Sequence, residues 1–234
     1  MMQLRADGTP FLMQTTKHQI LELLKRTGSA TVEEAAGSLS IASMTARQHL
    51  LGLERDGLVQ SEKVKRSNGR PHYLYYLTPK GDEMFPRRFD VLAAILLDEV
   101  GALRAEDIDG LDGDQKRSLL IQRAADGLAA RYRFPVDGRS LEDRITALTS
   151  VLHVIGGFAE WLTTDDGYEI RDYNCVFASL ASQSDGCPGH LRLITQLLQW
   201  PARHEVIDDG RVRCCRYIVS PQPGEAEEGL LLNA

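Results

Sequence analysis

Apolar positions near the start of the chain recur every three to four residues, over three short stretches. Ile20, Leu21, Leu23 and Leu24 predict a helix that stops at Thr27-Gly28, where glycine takes up a left-handed cap. Thr31, with Glu34 three residues on, makes a capping box for a second helix carrying Val32, Ala35 and Ala36. Ser43 is the expected cap of a third, running to about Asp56 with Ala46, Leu50 and Leu53 on one stripe. The period then changes to that of strands: residues 58–65 and 73–77 flank Ser67-Asn68-Gly69-Arg70-Pro71, whose Asn-Gly pair suits a hairpin turn. Two helices across a tight turn, a third with a polar outer face and a hairpin directly after it describe a winged helix-turn-helix.

Thr78-Pro79-Lys80-Gly81 punctuates that unit. Beyond it Phe85, Phe89, Leu92, Leu96, Val100 and Leu103 keep helical spacing, predicting a long helix whose stripe pairs with its copy in a homodimer. Residues 107–114 read as a polar loop, 115–131 and 141–161 as helices, and 168–173 as a strand. Further helices are expected over 176–182 and 188–200, and a hairpin over 204–219 around Asp208-Asp209-Gly210. The expected fold class is α+β. Its parts are a DNA-binding domain at 14–82, dimerisation helices and connection at 83–135, and a C-terminal sensor domain at 136–219. The first 13 residues read as a loose arm, and the Pro-, Gly- and Glu-rich tail at 220–234 as disordered.

With 43% apolar and 26% charged residues, the 234-residue chain has ordinary globular composition and room for two cores. No run approaches the roughly 18 apolar residues that cross a bilayer, and no signal core opens the chain, so a cytoplasmic location is expected. The net charge of −6 hides an uneven distribution. Ten basic residues oppose six acidic ones between Gln14 and Lys80, leaving +4 there and −10 elsewhere.

That local charge meets the helical pattern. With Ala46, Leu50 and Leu53 turned inward, Met44, Thr45, Gln48 and Gly52 face outward and Arg47 lies on the flank, the side that enters a major groove, and Ser43 at the helix start is counted with the DNA contacts. Gln48 has the amide geometry to read adenine, and Arg47 to hold phosphate or guanine. Lys63, Lys65, Arg66 and Arg70 on the hairpin would neutralise backbone charge, with Arg70 placed to enter a minor groove. His18, His49 and His72 read as incidental polar residues. The partner these features imply is double-stranded DNA.

Four cysteines in a reducing compartment are poor disulfide candidates, which leaves ligand, redox or packing roles. Cys175, Cys187 and Cys215 are spaced C-x11-C-x27-C, without the C-x2-C knuckle of a zinc finger. Cys175 and Cys187 are expected at helix N-termini, where the macrodipole favours thiolate. Cys214 and Cys215 are neighbours on one strand and so point to opposite faces. Cys214 alternates with Val212 and Ile218 and is assigned to packing, whereas Cys215 shares a face with Arg211, Arg213 and Tyr217 and is assigned to ligation. His190 and His204 permit a Cys-His nucleophile, but neither has a catalytic context, and no enzyme is expected.

From Thr15 to Val219 the chain resembles the SufR-type iron-sulfur-sensing transcriptional repressors, relatives of the ArsR and DeoR winged-helix regulators. The residues that carry the resemblance are Asn68-Gly69-Arg70-Pro71, Tyr73 through Gly81, and Arg87-Arg88-Phe89-Asp90-Val91-Leu92. Downstream they are Asp166-Gly167-Tyr168, Tyr173-Asn174-Cys175-Val176-Phe177, Cys187 and Cys215-Arg216-Tyr217. The resemblance implies a homodimeric repressor of iron-sulfur assembly genes, holding one [4Fe-4S] cluster per subunit through Cys175, Cys187 and Cys215. Val176 stands where that family has proline, and the first two cysteines are one residue closer than usual. The motif leaves the fourth ligand open among Cys214, a histidine such as His153, a carboxylate and a small molecule. Zinc binding or reversible thiol oxidation by the same cysteines is the alternative.

Overall fold

The structure, a computed structural model, describes residues 15–64, 72–177, 187–210 and 212–221. The chain divides into two units, one built chiefly from residues up to Pro86 and the other from Arg87 onward. Together they make the α+β fold expected.

The N-terminal unit opens with α1 (Thr16–Thr27), which Gly28 ends at φ 73°, and α2 (Val32–Leu39). The Thr31–Glu34 capping box forms in both directions: the Thr31 amide donates to the Glu34 carboxylate at 2.7 Å, and the Glu34 amide to Thr31 Oγ1 at 3.2 Å. Helix α3 (Ser43–Arg55) departs from expectation at its start, because Ala42 occupies the cap and no side chain bonds there. Ser40, left-handed at φ 53°, ends α2 so close by that the chain is already extended at Ala42, and Ser43 becomes the first helical residue. Strands β1 (Val59–Val64) and β2 (His72–Leu77) pair antiparallel from Val59↔Leu77 to Val64↔His72, and Ala30 bridges to Tyr75. The turn between them, residues 65–71, lies outside the described residues, as do the first 14 residues. A short α4 (Pro79–Asp82) follows, capped by Thr78.

The second unit begins with α5 (Phe89–Ala102). The helix does not reach back to Phe85, because Pro86 interrupts it and Phe85 is buried among the N-terminal residues. Short α6 (Ala105–Ile108) lies in the expected loop, and Asp112 caps α7 (Gly113–Arg131). Helix α8 (Leu141–Val154) ends seven residues short of Trp161, which stands instead on β3 (Ala159–Thr164). With β4 (Gly167–Asp172), β5 (Arg203–Asp208) and β6 (Arg213–Val219) it makes a four-stranded sheet in the order β3-β4-β6-β5. Helix α9 (Pro188–Leu198) packs against α7 so closely that a Cβ on Gly189 would come within 2.5 Å of the Ile121 side chain. One apolar core joins Leu92, Ile95, Leu128, Leu148, Ile170, Leu193 and Tyr217. No described helix is long and apolar enough to cross a membrane. Residues 178–186, Arg211 and 222–234 lie outside the described residues, and with them most of the helix expected at 176–182 and of the tail.

Candidate functional site

Three separate segments bring thiols into one buried place. At the end of β4, Asp172 Oδ1 accepts the amides of Phe158 and Asn174, both at 2.9 Å, and Asn174 Nδ2 donates to the Gly156 carbonyl at 2.7 Å. These bonds fix the bend that carries Cys175. Cys187 occupies the cap of α9 ahead of Pro188, as its sequence context suggests. Cys215 comes from β6, directly opposite Asp172 in the β4–β6 ladder, so their side chains share a face of the sheet. All three are 3–5% exposed, and all four cysteines are free.

The histidine at the third residue of α9 completes the group. His190 Nδ1 lies 2.9 Å from Cys175 Sγ, and the donor atoms of Cys175, His190 and Cys215 all fall within 4.8 Å of one another. Burial pushes the Cys175 thiol up, keeping it neutral. The hydrogen bond from Cys175 pulls Cys187 down to about 7. The same donor, with His190 and His204, pulls Cys215 well below the usual thiol range. Burial works against a charged His190, but the Cys215 thiolate and Asp172 outweigh it and raise its pKa. A neutral thiol, anionic sulfurs and an imidazole form a soft donor set of the kind that takes zinc or iron-sulfur centres.

Cys214 points away from this group. Its Sγ donates to the Cys215 carbonyl at 3.6 Å, and burial, helped by the Cys215 charge, pushes it up to about 12. The reason for its exclusion differs from the sequence argument: Cys215, Tyr217 and Val219 form the core face of β6, while Val212 and Ile218 are only half-buried. His153, on α8, is not among the gathered donors.

In the N-terminal unit, Ala46, Leu50 and Leu53 are buried and turn the other side of α3 outward. Ser43, Met44, Arg47 and Gln48 are exposed there and Thr45 is half-buried. Met44 is 67% exposed, which no packing role explains. Lys17 Nζ donates to Asp56 Oδ2 at 2.7 Å, and Lys80 Nζ to the Asp56 carbonyl at 2.9 Å, fastening the far end of α3. Lys63 is exposed on β1 opposite Tyr73. Lys65, Arg66 and Arg70 lie outside the described residues.

Residues 17–62 match the DeoR-like helix-turn-helix domain. The N-terminal unit is therefore a DeoR-like helix-turn-helix, with the β1–β2 hairpin following α3 as in a winged arrangement. No curated protein matches the chain. Among the solved structures similar to it are the following two. A transcriptional regulator homologue from Pyrococcus horikoshii OT3 is 26% identical over 29% of this chain, at a TM-score of 0.27, and the match spans 66% of the Pyrococcus chain. PadR of Bacillus subtilis, solved in complex with operator DNA, is 15% identical over 78% of this chain and 89% of its own, also at 0.27. The match to the DeoR-like domain stops short of the cysteines, so their role rests on geometry.

Of the residues singled out from sequence, the structure buries Cys175, Cys187 and Cys215 and gathers the donors of Cys175 and Cys215 with that of His190, and it leaves Ser43, Met44, Arg47 and Gln48 exposed on one helix face. His190 was missed as part of that site. Its signal was the run Cys187-Pro188-Gly189-His190, which sets a second soft donor one helical turn from the first.

Proposed function

We propose that this chain is a homodimeric transcription regulator that binds operator DNA through α3 and the β1–β2 hairpin and represses iron-sulfur assembly genes. In this proposal it senses iron-sulfur status through a [4Fe-4S] cluster held by Cys175, Cys187 and Cys215. One observation carries the sensing role: the donor atoms of Cys175 and Cys215 gather with that of His190 at one buried place, and Cys187, also free and buried, interacts with Cys175. Burying anionic sulfur without a cation is costly. When bound, a metal centre supplies that positive charge and bonds to the sulfurs. The residues' own work is positional: Asp172 and Asn174 pin the bend at Cys175, Pro188 sets the start of α9 after Cys187, and the β4–β6 ladder sets Cys215.

The dimer rests on α5. Phe89, Leu97 and Val100 are exposed on that helix while Val91, Leu92 and Ile95 face the core, so a second copy would cover an apolar stripe.

A second reading, a single zinc ion, is favoured by the spacing. Tetrahedral ligands about 2.0–2.3 Å from one ion lie roughly 3.5–4 Å apart, and donors gathered within 4.8 Å match that more closely than the wider spread of a four-iron cluster. Anaerobic purification with metal and acid-labile sulfide analysis decides between them. Brown protein with iron and sulfide in equal amounts is the expected result. Colourless protein with one zinc per chain would establish the second reading instead.

A further inference from the structure

We infer that His190 is the fourth protein ligand of the thiolate centre, binding through Nδ1, and that Asp172 is the carboxylate that orients it through Nε2. The inference rests on the metal-centre reading above and holds for either kind of centre.

His190 is fully buried, and its two ring nitrogens have different surroundings. Nδ1 faces sulfur, 2.9 Å from Cys175 Sγ, and a ring nitrogen of His190 lies within 4.8 Å of the Cys215 sulfur. Nε2 has no hydrogen-bond partner, and lies 3.7 Å from Asp172 Oδ2. An orphaned buried donor is costly, and a shift of some tenths of an ångström toward Asp172 would satisfy it. A metal-bound imidazole has this form: one nitrogen on the metal, the other N–H on a carboxylate that fixes tautomer and ring plane. In the bound state the Nδ1 lone pair makes the coordinate bond, and the ring's one proton sits on Nε2, shared with Asp172. Asp172 is held ready by the two amides on its Oδ1, which leave Oδ2 for the histidine.

The neighbouring histidine is the competitor. His204 on β5 has its ring stacked on Tyr217, centroids 4.8 Å apart, and it is not among the gathered donors. The second unit holds His190 firmly in place, since its ring packs edge-on against Tyr217 at 5.1 Å and beside Phe177 at 6.0 Å.

The test uses the full chain, loaded anaerobically, with histidine labelled in ¹⁵N. If the centre is iron-sulfur, pulsed electron paramagnetic resonance of the reduced cluster should show a nitrogen coupling that changes with the label. That coupling should vanish in His190→Ala and in His190→Cys, the second of which retains the cluster through a fourth thiolate. It should persist in His204→Ala. If the centre is a single ion, cobalt(II) in its place reads the same point, its visible bands moving in His190→Cys toward those of a four-thiolate site. Asp172→Asn keeps an oxygen for the two amides but loses the acceptor for Nε2–H. It should keep the coupling and release metal roughly 10–100-fold more readily. A loaded centre without histidine coupling, or a coupling that survives His190→Ala, would overturn the inference alone. Protein that takes up neither iron-sulfur nor a single ion would overturn the metal-centre reading itself and this inference with it.

Discussion

Cys175 and Cys215 shift in opposite directions although they belong to one site: the first stays a neutral donor because it is wholly buried, and its hydrogen bond lets the second remain anionic. Each cysteine therefore depends on the others. Changing Cys175, Cys187 or Cys215 to serine should abolish stable metal retention, measured as metal per chain after anaerobic desalting, while Cys214→Ser should leave most of it. Retention in Cys215→Ser together with loss in Cys214→Ser would reverse the assignment of faces on β6. A second titration belongs to the DNA-binding unit. The Glu22 carboxylate, 3.4 Å from His18 Nε2 on the same face of α1, raises the His18 pKa despite opposing burial. A raised folded pKa gives stability that is full below the unfolded value of about 6.5 and lost as pH rises through the folded value. The side chain is partly solvated, so the effect is only about 0.5 kcal/mol. His18→Gln should thus lower denaturant stability near pH 5 and leave it unchanged near pH 8, where an equal loss at both would refute the pair.

Helix α3 separates its two jobs by side. Ala46, Leu50 and Leu53 anchor it, and Arg47 and Gln48 are left free of packing duties on the opposite surface. Gln48→Ala should therefore relax base preference with little change in stability, since an amide reading a base edge contributes roughly 1–3 kcal/mol of discrimination. Lys63→Ala, on the hairpin, should weaken all duplexes alike and lower the salt slope by about one unit. Binding titrations of the two variants against matched and scrambled duplexes at several salt concentrations check both. Wild-type behaviour from both variants would mean that this winged helix does not read DNA.

At the scale of the whole molecule, sensing requires that the centre in the second unit alter affinity at the first. A tenfold change needs about 1.4 kcal/mol of differential stabilisation, little for a centre that joins three segments. Loaded protein should bind its operator more tightly than apo protein at the same salt concentration, as fluorescence anisotropy would show. Equal affinities would reduce the centre to a structural part, and tighter binding by the apo form would reverse the circuit.

The sequence by itself determined what is satisfied within a few residues. Thr31 and Glu34 close their capping box locally, Gly28 ends α1 without help, and the inward stripe of α3 follows from a 3.6-residue period. The helix-turn-helix architecture was legible for that reason. Elsewhere local signals competed. Phe158, Trp161 and Leu162 continue the helical spacing of α8, and only pairing with β4 makes residues 159–164 a strand; Asp165-Asp166-Gly167 was the turn signal that marked it. Ser43 has the chemistry of a cap, but the cap position was set by where α2 lets the chain go. His190 shows the limit most clearly. Its distances to Cys175, Cys215 and Asp172 come from a helix, a bend and two strands packed together, and contacts made across the fold leave no period in the chain for a reader to find.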